Sequence, residues 1–470
     1  MNGTVPARRG WVKIAALVAL AAGGGAGGLY LSGAFPAPPE CGGPPPAPEA
    51  AGPQRFPLAA RDVKDGVEAP TLAVDAAGTL HAGWASQTEE ARRTVFVTKS
   101  PDGGRTFEAP RAVATTGIYK AVAQMKGKTV ARELRSTPHL RAAGAALHLA
   151  WTEALPGNAG VQLVLSTSAD GGGTFPPPAP VHAGPARPTF TALAVGPGGA
   201  VAAAWLDNRG KAQQTFAAVR PAGATAFAPE ALVGAGQDGK GVCPCCPTAA
   251  AFAPDGTLYV AFRNVSNGHR DIAVGRLRPG AAAFDGPFPV VPDTWKFDGC
   301  PHDGPSLAVV GDQLHVVWMD ARSGPQRCYH AAAPRASMAF TARELSAIPA
   351  GTQGNARLWA DPAGRLHAVW EESLGGEQPA ADAHAHADHG APTLTGSGRA
   401  VRYATLPPGA ATFGPARAVA PRPGAFQTRP ALAGLPDGTV VAAWNELDES
   451  GKAVVVCRVP ADPAGGAPRE

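Results

Sequence analysis

Charge, aromatic rings and tyrosine are all scarce in this chain of 470 residues: 17% is charged, 6% is aromatic, and only five tyrosines and four methionines occur. So thin a supply of charged side chains excludes long solvent-facing helices and coiled coils, whose outer faces need them. The 41 lysines and arginines nearly balance 37 acids, giving a net charge of +4 with no basic block, so no nucleic-acid partner is expected. What abounds is glycine (59) and proline (49), the residues that turns consume. Hydrophobic residues at 45% still leave ample apolar surface for a core, which excludes wholesale disorder. Together these features point to one large β-rich domain.

Arg8, Arg9 and Lys13 precede an apolar run from Ile14 to Ala22 that continues through glycines to Leu31. A basic flank before an apolar core is an export pattern, so residues 1–33 read as a signal peptide or an N-terminal membrane anchor. The protein is accordingly expected to be periplasmic, membrane-anchored or extracellular, touching a membrane only through residues 11–31 if these are retained. Residues 34–53 read as a stiff Pro/Gly-rich linker carrying Cys41, and 461–470 as a disordered tail.

An apolar strand ending in an aromatic residue recurs seven times, at Trp84, Trp151, Trp205, Phe262, Trp318, Trp370 and Trp444. Most copies follow a Gly-bearing turn and another apolar strand, which predicts two antiparallel strands per unit. A second marker, a phenylalanine before a short strand, recurs at Phe56, Phe107, Phe175, Phe227, Phe284, Phe340 and Phe413. From Trp84 to Phe107 is 23 residues and the next four intervals are 24, 22, 22 and 22, so each unit has room for two further strands. The pattern predicts an all-β propeller over residues 54–460, with seven four-stranded blades or, alternatively, six. Phe56 has no unit before it and Trp444 has no phenylalanine after it. The N-terminal strand is therefore expected to complete the last blade and abolish the free edge.

Two units carry SPDGGRTF, from Ser100 to Phe107, and SADGGGTF, from Ser168 to Phe175. These resemble the Asp-box, or BNR repeat, of the sialidase superfamily. The resemblance implies that Asp102 and Asp170 are structural, capping backbone amides of a Gly-rich turn. It implies a sialidase-like propeller, a glycan as the ligand class and, for an enzyme, a glycoside hydrolase that holds a sugar carboxylate with three arginines and uses a tyrosine paired with glutamate. Where the family has Arg-Ile-Pro near the first blade, this chain reads GVEAPTLAV. Ligand binding with little or no catalysis is the function expected, with an exo-sialidase or other glycoside hydrolase as one alternative and an extracytoplasmic copper or zinc binding protein as another.

In such a fold the start of the first strand and the end of the second meet on one face of each blade, opposite the Asp-box turns. That upper face collects Glu153, Asp207, Asn208, Arg209, Arg263, Asn264, Asp320, Arg322, Glu371, Glu372, Asn445 and Glu446, with Arg135, His139, Arg187 and Arg429 near the first strands. Arg187, Arg209, Arg263, Arg322 and Arg429 are the candidate ligand-binding residues. Arg263, Arg322, Asp320, Glu153 and Tyr119 are the candidate catalytic ones, Tyr119 because the other tyrosines fall in strands or in the export segment. The competing reading is that strand ends are polar in any soluble propeller.

The segment GVCPCCPT places Cys243, Cys245 and Cys246 just before one first strand, and GCPHDGPS places Cys300 and His302 just before the next. Cys328 is expected near the same rim. Two readings stand side by side: disulfides, as suits an exported protein, and a thiolate site for copper or zinc. An insertion between Trp370 and Phe413 adds His384, His386 and His389, the composition of a metal-capturing loop or of a merely polar one. A second insertion, TTGIYKAVAQMKGKTVARELRS, is expected as a basic lid on that face.

Overall fold

A computed structural model of the chain describes residues 52–59, 69–89, 91–125, 128–134, 137–184, 186–210, 212–237, 239, 241–299, 301–348, 351–373 and 398–460. The expectations for residues 1–33, most of the linker, and the tail 461–470 lie outside these. Among the described residues no helix is long and apolar enough to cross a membrane. Strand β1 (Gln54–Pro57) stands first. It is followed by β2 (Thr71–Val74), β3 (Leu80–Glu89), β4 (Arg92–Ser100) and β5 (Arg111–Gly117), then by a hairpin of β6 (Tyr119–Met125) and β7 (Lys128–Leu134). The second unit is β8 (His139–Ala143), β9 (Ala146–Ala154), β10 (Val161–Ser168) and β11 (Ala179–Pro180); the third is β12 (Thr189–Val195), β13 (Val201–Asp207), β14 (Gln214–Arg220) and β15 (Ala231–Gly234). The fourth is β16 (Ala249–Phe252), β17 (Leu258–Arg263), β18 (Ile272–Leu277) and β19 (Asp285–Pro289); the fifth is β20 (Ser306–Val310), β21 (Gln313–Asp320), β22 (Arg327–Pro334) and β23 (Thr341–Glu344). The sixth is β24 (Gln353–Ala360), β25 (Leu366–Ser373), β26 (Arg399–Leu406) and β27 (Arg417–Ala418), and β28 (Phe426–Gly434), β29 (Val440–Asp448) and β30 (Gly451–Arg458) begin the last.

Each of the first five units is one antiparallel four-stranded sheet in chain order. The sixth and the last share an eight-stranded sheet only through a single parallel bridge between Arg399 and Phe426. Strand β1 pairs antiparallel with β30, Phe56 opposite Val454, and so completes the unit that holds Trp444. The first strands lie side by side in the order β2, β8, β12, β16, β20, β24 and β28, and β28 returns against β2. The sheets therefore close into a propeller whose chain ends are tied within one sheet. The closure leaves no open end to the ring of first strands.

The core follows from this arrangement as apolar layers between neighbouring sheets. Val369, Tyr403, Trp444 and Val455 pack between the sixth and last units, and Leu140, Trp151 and Val164 pack with Ala73, Val95 and Val97 between the first and second. Second strands are covered on both faces, which is why they read as unbroken apolar runs such as VAAAW and not as an alternation. Trp151, Trp205, Trp318, Trp370 and Trp444 are fully buried, and truncating a buried tryptophan typically costs about 3–5 kcal/mol. The phenylalanine series seals the outer ends of these layers: Phe107, for example, meets Phe56 edge-on with centroids 5.4 Å apart.

On the lower face Asp102 accepts hydrogen bonds from Ser100 Oγ (2.7 Å), Arg105 N (3.0 Å), Thr106 N (2.9 Å) and Thr106 Oγ1 (2.6 Å). Asp170 repeats the pattern with Ser168 Oγ (2.7 Å), Thr174 N (2.8 Å) and Thr174 Oγ1 (2.8 Å). The basic insertion after the first unit is not a bare loop but the β6–β7 hairpin. Tyr119, expected to be free in that loop, instead opens β6 and is 9% exposed.

Candidate functional site

Five second strands end in tryptophan followed two residues later by an acid, and in each the indole Nε1 donates to that carboxylate. The pairs are Trp151–Glu153 (3.0 Å), Trp205–Asp207 (3.1 Å), Trp318–Asp320 (2.8 Å), Trp370–Glu372 (3.2 Å) and Trp444–Glu446 (3.1 Å). A residue and its second neighbour point to the same side of a strand, so Trp-x-acid puts donor and acceptor side by side. A buried indole N–H needs a partner, and this one is built into the repeat. Two of the acids also hold the arginine two residues on. Arg209 Nε (3.0 Å) and Nη2 (2.8 Å) bind Asp207, and its Nη1 reaches Glu230 (2.6 Å). Arg322 grips Asp320 with Nε at 2.9 Å while lying over Tyr329, 4.4 Å from the ring centroid. Glu153, Asp320, Arg209 and Arg322 are thereby spent largely on one another and on the core.

Arg263 is buried, and its guanidinium is consumed by backbone carbonyls: Nη1 donates to Arg270 O (2.7 Å), Nη2 to Met319 O (2.7 Å) and Asp303 O (3.1 Å), and Nε to Asp303 O (3.2 Å). It braces the fourth unit against the fifth and offers no face to a ligand. Arg187 is exposed at the rim, where its backbone N–H donates to Asp207 (3.2 Å). Arg429 alone of the five candidate ligand-binding arginines reaches the ring of first strands with no side-chain partner among the described residues.

Three first strands carry a bulge at equivalent places, and each holds one non-glycine residue in the left-handed region: Phe190 (φ 50°), Asn355 (φ 50°) and Arg429 (φ 53°). Such backbone is costly and re-aims neighbouring side chains, and it persists only where something holds it. Two carboxylates do the holding. Glu371 accepts the Arg429 N–H at 2.8 Å and Arg399 Nη1 at 2.6 Å, and Asp303 accepts the Asn355 N–H. Thr248 secures the third by donating from N (3.1 Å) and Oγ1 (3.0 Å) to Phe190 O.

Arg357 follows one of these bulges and Arg429 sits within another, while His139 and Arg141 lie on β8. His139 of the second unit feels the charges of Arg141 beside it and of Arg357 of the sixth, and Arg357 feels Asp303, Arg429 and Glu371. Withdrawal from water, with those two cations adding to it, pushes the His139 imidazole down to about 3. Burial likewise lowers Arg141 and Arg357, and it raises the Asp303 carboxyl against the pull of Arg263. Arg141 Nη1 and Arg357 Nη1 each make one bond, both 2.8 Å, to the carbonyl of the residue just before. Further donors of the Arg141 and Arg357 guanidiniums remain beyond these bonds, and the carboxylates near Arg357 are Asp303, which accepts the Asn355 N–H, and Glu371, which accepts the Arg429 N–H and Arg399 Nη1.

Three thiols cluster in the loop before β16. Cys243 Sγ is 3.6 Å from Cys245 Sγ and 3.5 Å from Cys246 Sγ, and the latter two are 4.0 Å apart, all three buried under Phe190 and Val265. Arg270 Nη1 reaches Cys243 Sγ at 3.2 Å. Hydrogen bonds from the neighbouring thiols, opposed by burial and helped by Arg270 and Arg263, lower the Cys243 thiol, while burial pushes Cys246 up. The loop that delivers them is clipped down: Val242 N bonds Gln213 O (2.8 Å) and Cys243 N bonds Arg263 O (3.0 Å). Gly236 (φ 75°) and Gly241 (φ 82°) allow this, because any Cβ there would strike backbone. No disulfide joins the three to one another, and their ligand atoms all lie within 4.8 Å of one another.

His302 (φ 55°) is half-buried one residue before Asp303 and is not of that group. Cys328 lies at the Asp320 end of β22, opposite Met319, and is buried there with Trp295 and Leu345 between the fifth and sixth units. Cys300, Arg135, His384, His386 and His389 lie outside the described residues. Sequence reasoning missed Arg141, Arg357 and Arg270. The first two share a weak signal, an arginine two residues after His139 or Asn355 at the mouth of a first strand; Arg270, in the turn before β18, has none.

No family model matches the chain, and no curated protein does. Among solved structures it is similar to a protein of unknown function from Dyadobacter fermentans, at 11% identity and a TM-score of 0.46 over 88% of this chain and 99% of that one. It is also similar to an α-L-arabinanase of Penicillium chrysogenum in complex with arabinobiose, at 12% identity and a TM-score of 0.44 over 88% and 99%. An intramolecular trans-sialidase from Ruminococcus gnavus is similar at 11% identity and 0.44, over 69% and 94%. Identities are low and the superpositions loose, so the propeller rests on this chain's own strand order.

Proposed function

We propose that this exported propeller binds an anionic glycan, one bearing a sugar carboxylate, at the mouth of its central channel, with little or no catalysis. The observation that carries the reading is the set of Arg141, Arg357 and Arg429 on three first strands with His139, which keeps guanidinium donors left over although Asp303 and Glu371 stand near Arg357. Desolvated cations gathered at one point favour an anion, and bidentate guanidinium contacts favour a planar one. The described tyrosines give no support to the nucleophile of a sialidase. Tyr259 is buried in the core, Tyr329 is bonded to Ser323, Tyr403 to His367, and Tyr119 is buried at the foot of its hairpin.

Calorimetry with sialic-acid-bearing and uronic-acid-bearing oligosaccharides, beside their neutral counterparts, tests the proposal. Binding of a carboxylated sugar is expected, weakened about 10–100-fold in Arg357→Ala and lowered by salt, since charge-assisted hydrogen bonds contribute about 1.5–3 kcal/mol. An aryl sialoside should release no fluorophore. Affinity that is the same in Arg141→Ala and Arg357→Ala, or preference for neutral sugars, would remove the reading.

A further inference from the structure

A second site, independent of the glycan cradle, is formed by the three buried thiols. We infer that Cys243, Cys245 and Cys246 make a trithiolate site for a single soft metal ion, and that the ion is copper(I). The separations of 3.5, 3.6 and 4.0 Å carry the geometry. Sulfurs bound about 2.3 Å from one ion stand about 3.8 Å apart at tetrahedral angles and about 4.0 Å apart in a trigonal plane. A disulfide would instead bring two of them to about 2.05 Å. Three thiols cannot all pair with one another, and the other described cysteines are packed elsewhere, Cys328 between the fifth and sixth units and Cys457 between the sixth and last.

Donor number and softness select among ions. The group whose ligand atoms lie within 4.8 Å of one another consists of three thiols, and Arg270 Nη1 stands 3.2 Å from Cys243 Sγ to offset thiolate charge. Structural zinc(II) is held almost always by four ligands, so a three-sulfur set suits it less well. Thiolate donors of this kind are those that copper(I) prefers. The loop is already pinned by Gln213, Arg263 and the two glycines, so the ligands pay little ordering entropy on metal uptake.

The test uses the full chain, reduced and kept anaerobic, titrated with copper(I) alone against an excess of a colorimetric copper(I) chelator. One equivalent should be retained, with an X-ray absorption sulfur shell near about 2.3 Å. The double variant Cys245→Ser, Cys246→Ser should retain none. Because that variant alters a packed loop, Arg270→Gln serves as the second probe: it keeps all three thiols and should weaken copper(I) retention about 10–100-fold, while circular dichroism shows the strands intact. Wild type that yields its copper to the chelator, copper held equally by the double variant, or tighter retention of zinc(II) than of copper(I) would each overturn the assignment. None of these outcomes bears on sugar binding.

Discussion

The fourth unit ends its second strand on Phe262, Arg263 and Asn264, whereas the second, third, fifth, sixth and last units end theirs on tryptophan, any residue and an acid. Where the pattern holds, the acid accepts the indole N–H of its own strand, and Asp207, Asp320, Glu372 and Glu446 each also pair with a nearby arginine. Where it breaks, there is neither indole nor acid. Arg263 turns to the next unit instead and ties up carbonyls of Asp303 and Met319, while its own carbonyl anchors Cys243. The lesson is that polar residues repeated in every blade serve the repeat. Those standing where the repeat fails are the ones left over for chemistry, and the thiol cluster lies at that failure.

Arg263→Met breaks the comparison most forcefully. The substitution preserves bulk but strands three buried carbonyls, and loss of about 3–5 kcal/mol is expected by analogy with removing one partner of a buried charged network. A fall in the urea midpoint of unfolding would show it, together with loss of order at residues 243–246 in amide exchange. A variant as stable as wild type would mean that Arg263 is free for a ligand after all.

Glu446→Ala probes the kept pattern and is expected to cost about 2–3 kcal/mol, in the range for a hydrogen bond to a charged group. Glu446 accepts from Trp444 Nε1 at 3.1 Å and Gln427 Nε2 at 2.9 Å and also pairs with Arg55 of β1. The substitution should therefore loosen the closing strand as well as the indole, so proteolysis near Gln54 should quicken. If only overall stability changed and β1 stayed protected, the acid would serve the indole alone.

Much of this was legible because repeats are local. The spacing from each aromatic to the next phenylalanine, and the orphan positions of Phe56 and Trp444, were enough to expect β1 beside β30, as found. Residue type and spacing also pointed to the three cysteines before β16. What stayed hidden depends on direction or on distance along the chain. Asp320 and Glu153 looked available because nothing in the letters shows that the tryptophan two residues earlier aims its N–H at them. Arg141 and Arg357 are far apart in the chain, and only the fold brings the charges of both to bear on His139. The strain at Phe190, Asn355 and Arg429 belongs to bulges, and bulges leave no mark in an apolar pattern.

The lower face supplies the smallest effect and the control for the rest. Asp102 is a repeated polar residue that serves its own turn, so Asp102→Ala should cost only about 1 kcal/mol, as for loss of a comparable capping side chain. Its effect should also depend on pH. Slight burial opposes ionisation, but donors from Thr106, Ser100 and Arg105 prevail and hold the carboxyl down to about 2. A folded-state value depressed below the unfolded one contributes stability that is present above about pH 4 and is lost as pH falls toward about 2. The gap between wild-type and Asp102→Ala urea midpoints should accordingly narrow across that window and stay constant above it. A gap unchanged down to pH 2 would show that the carboxylate charge contributes nothing there, and that the turn is held by Ser100 and its glycines alone.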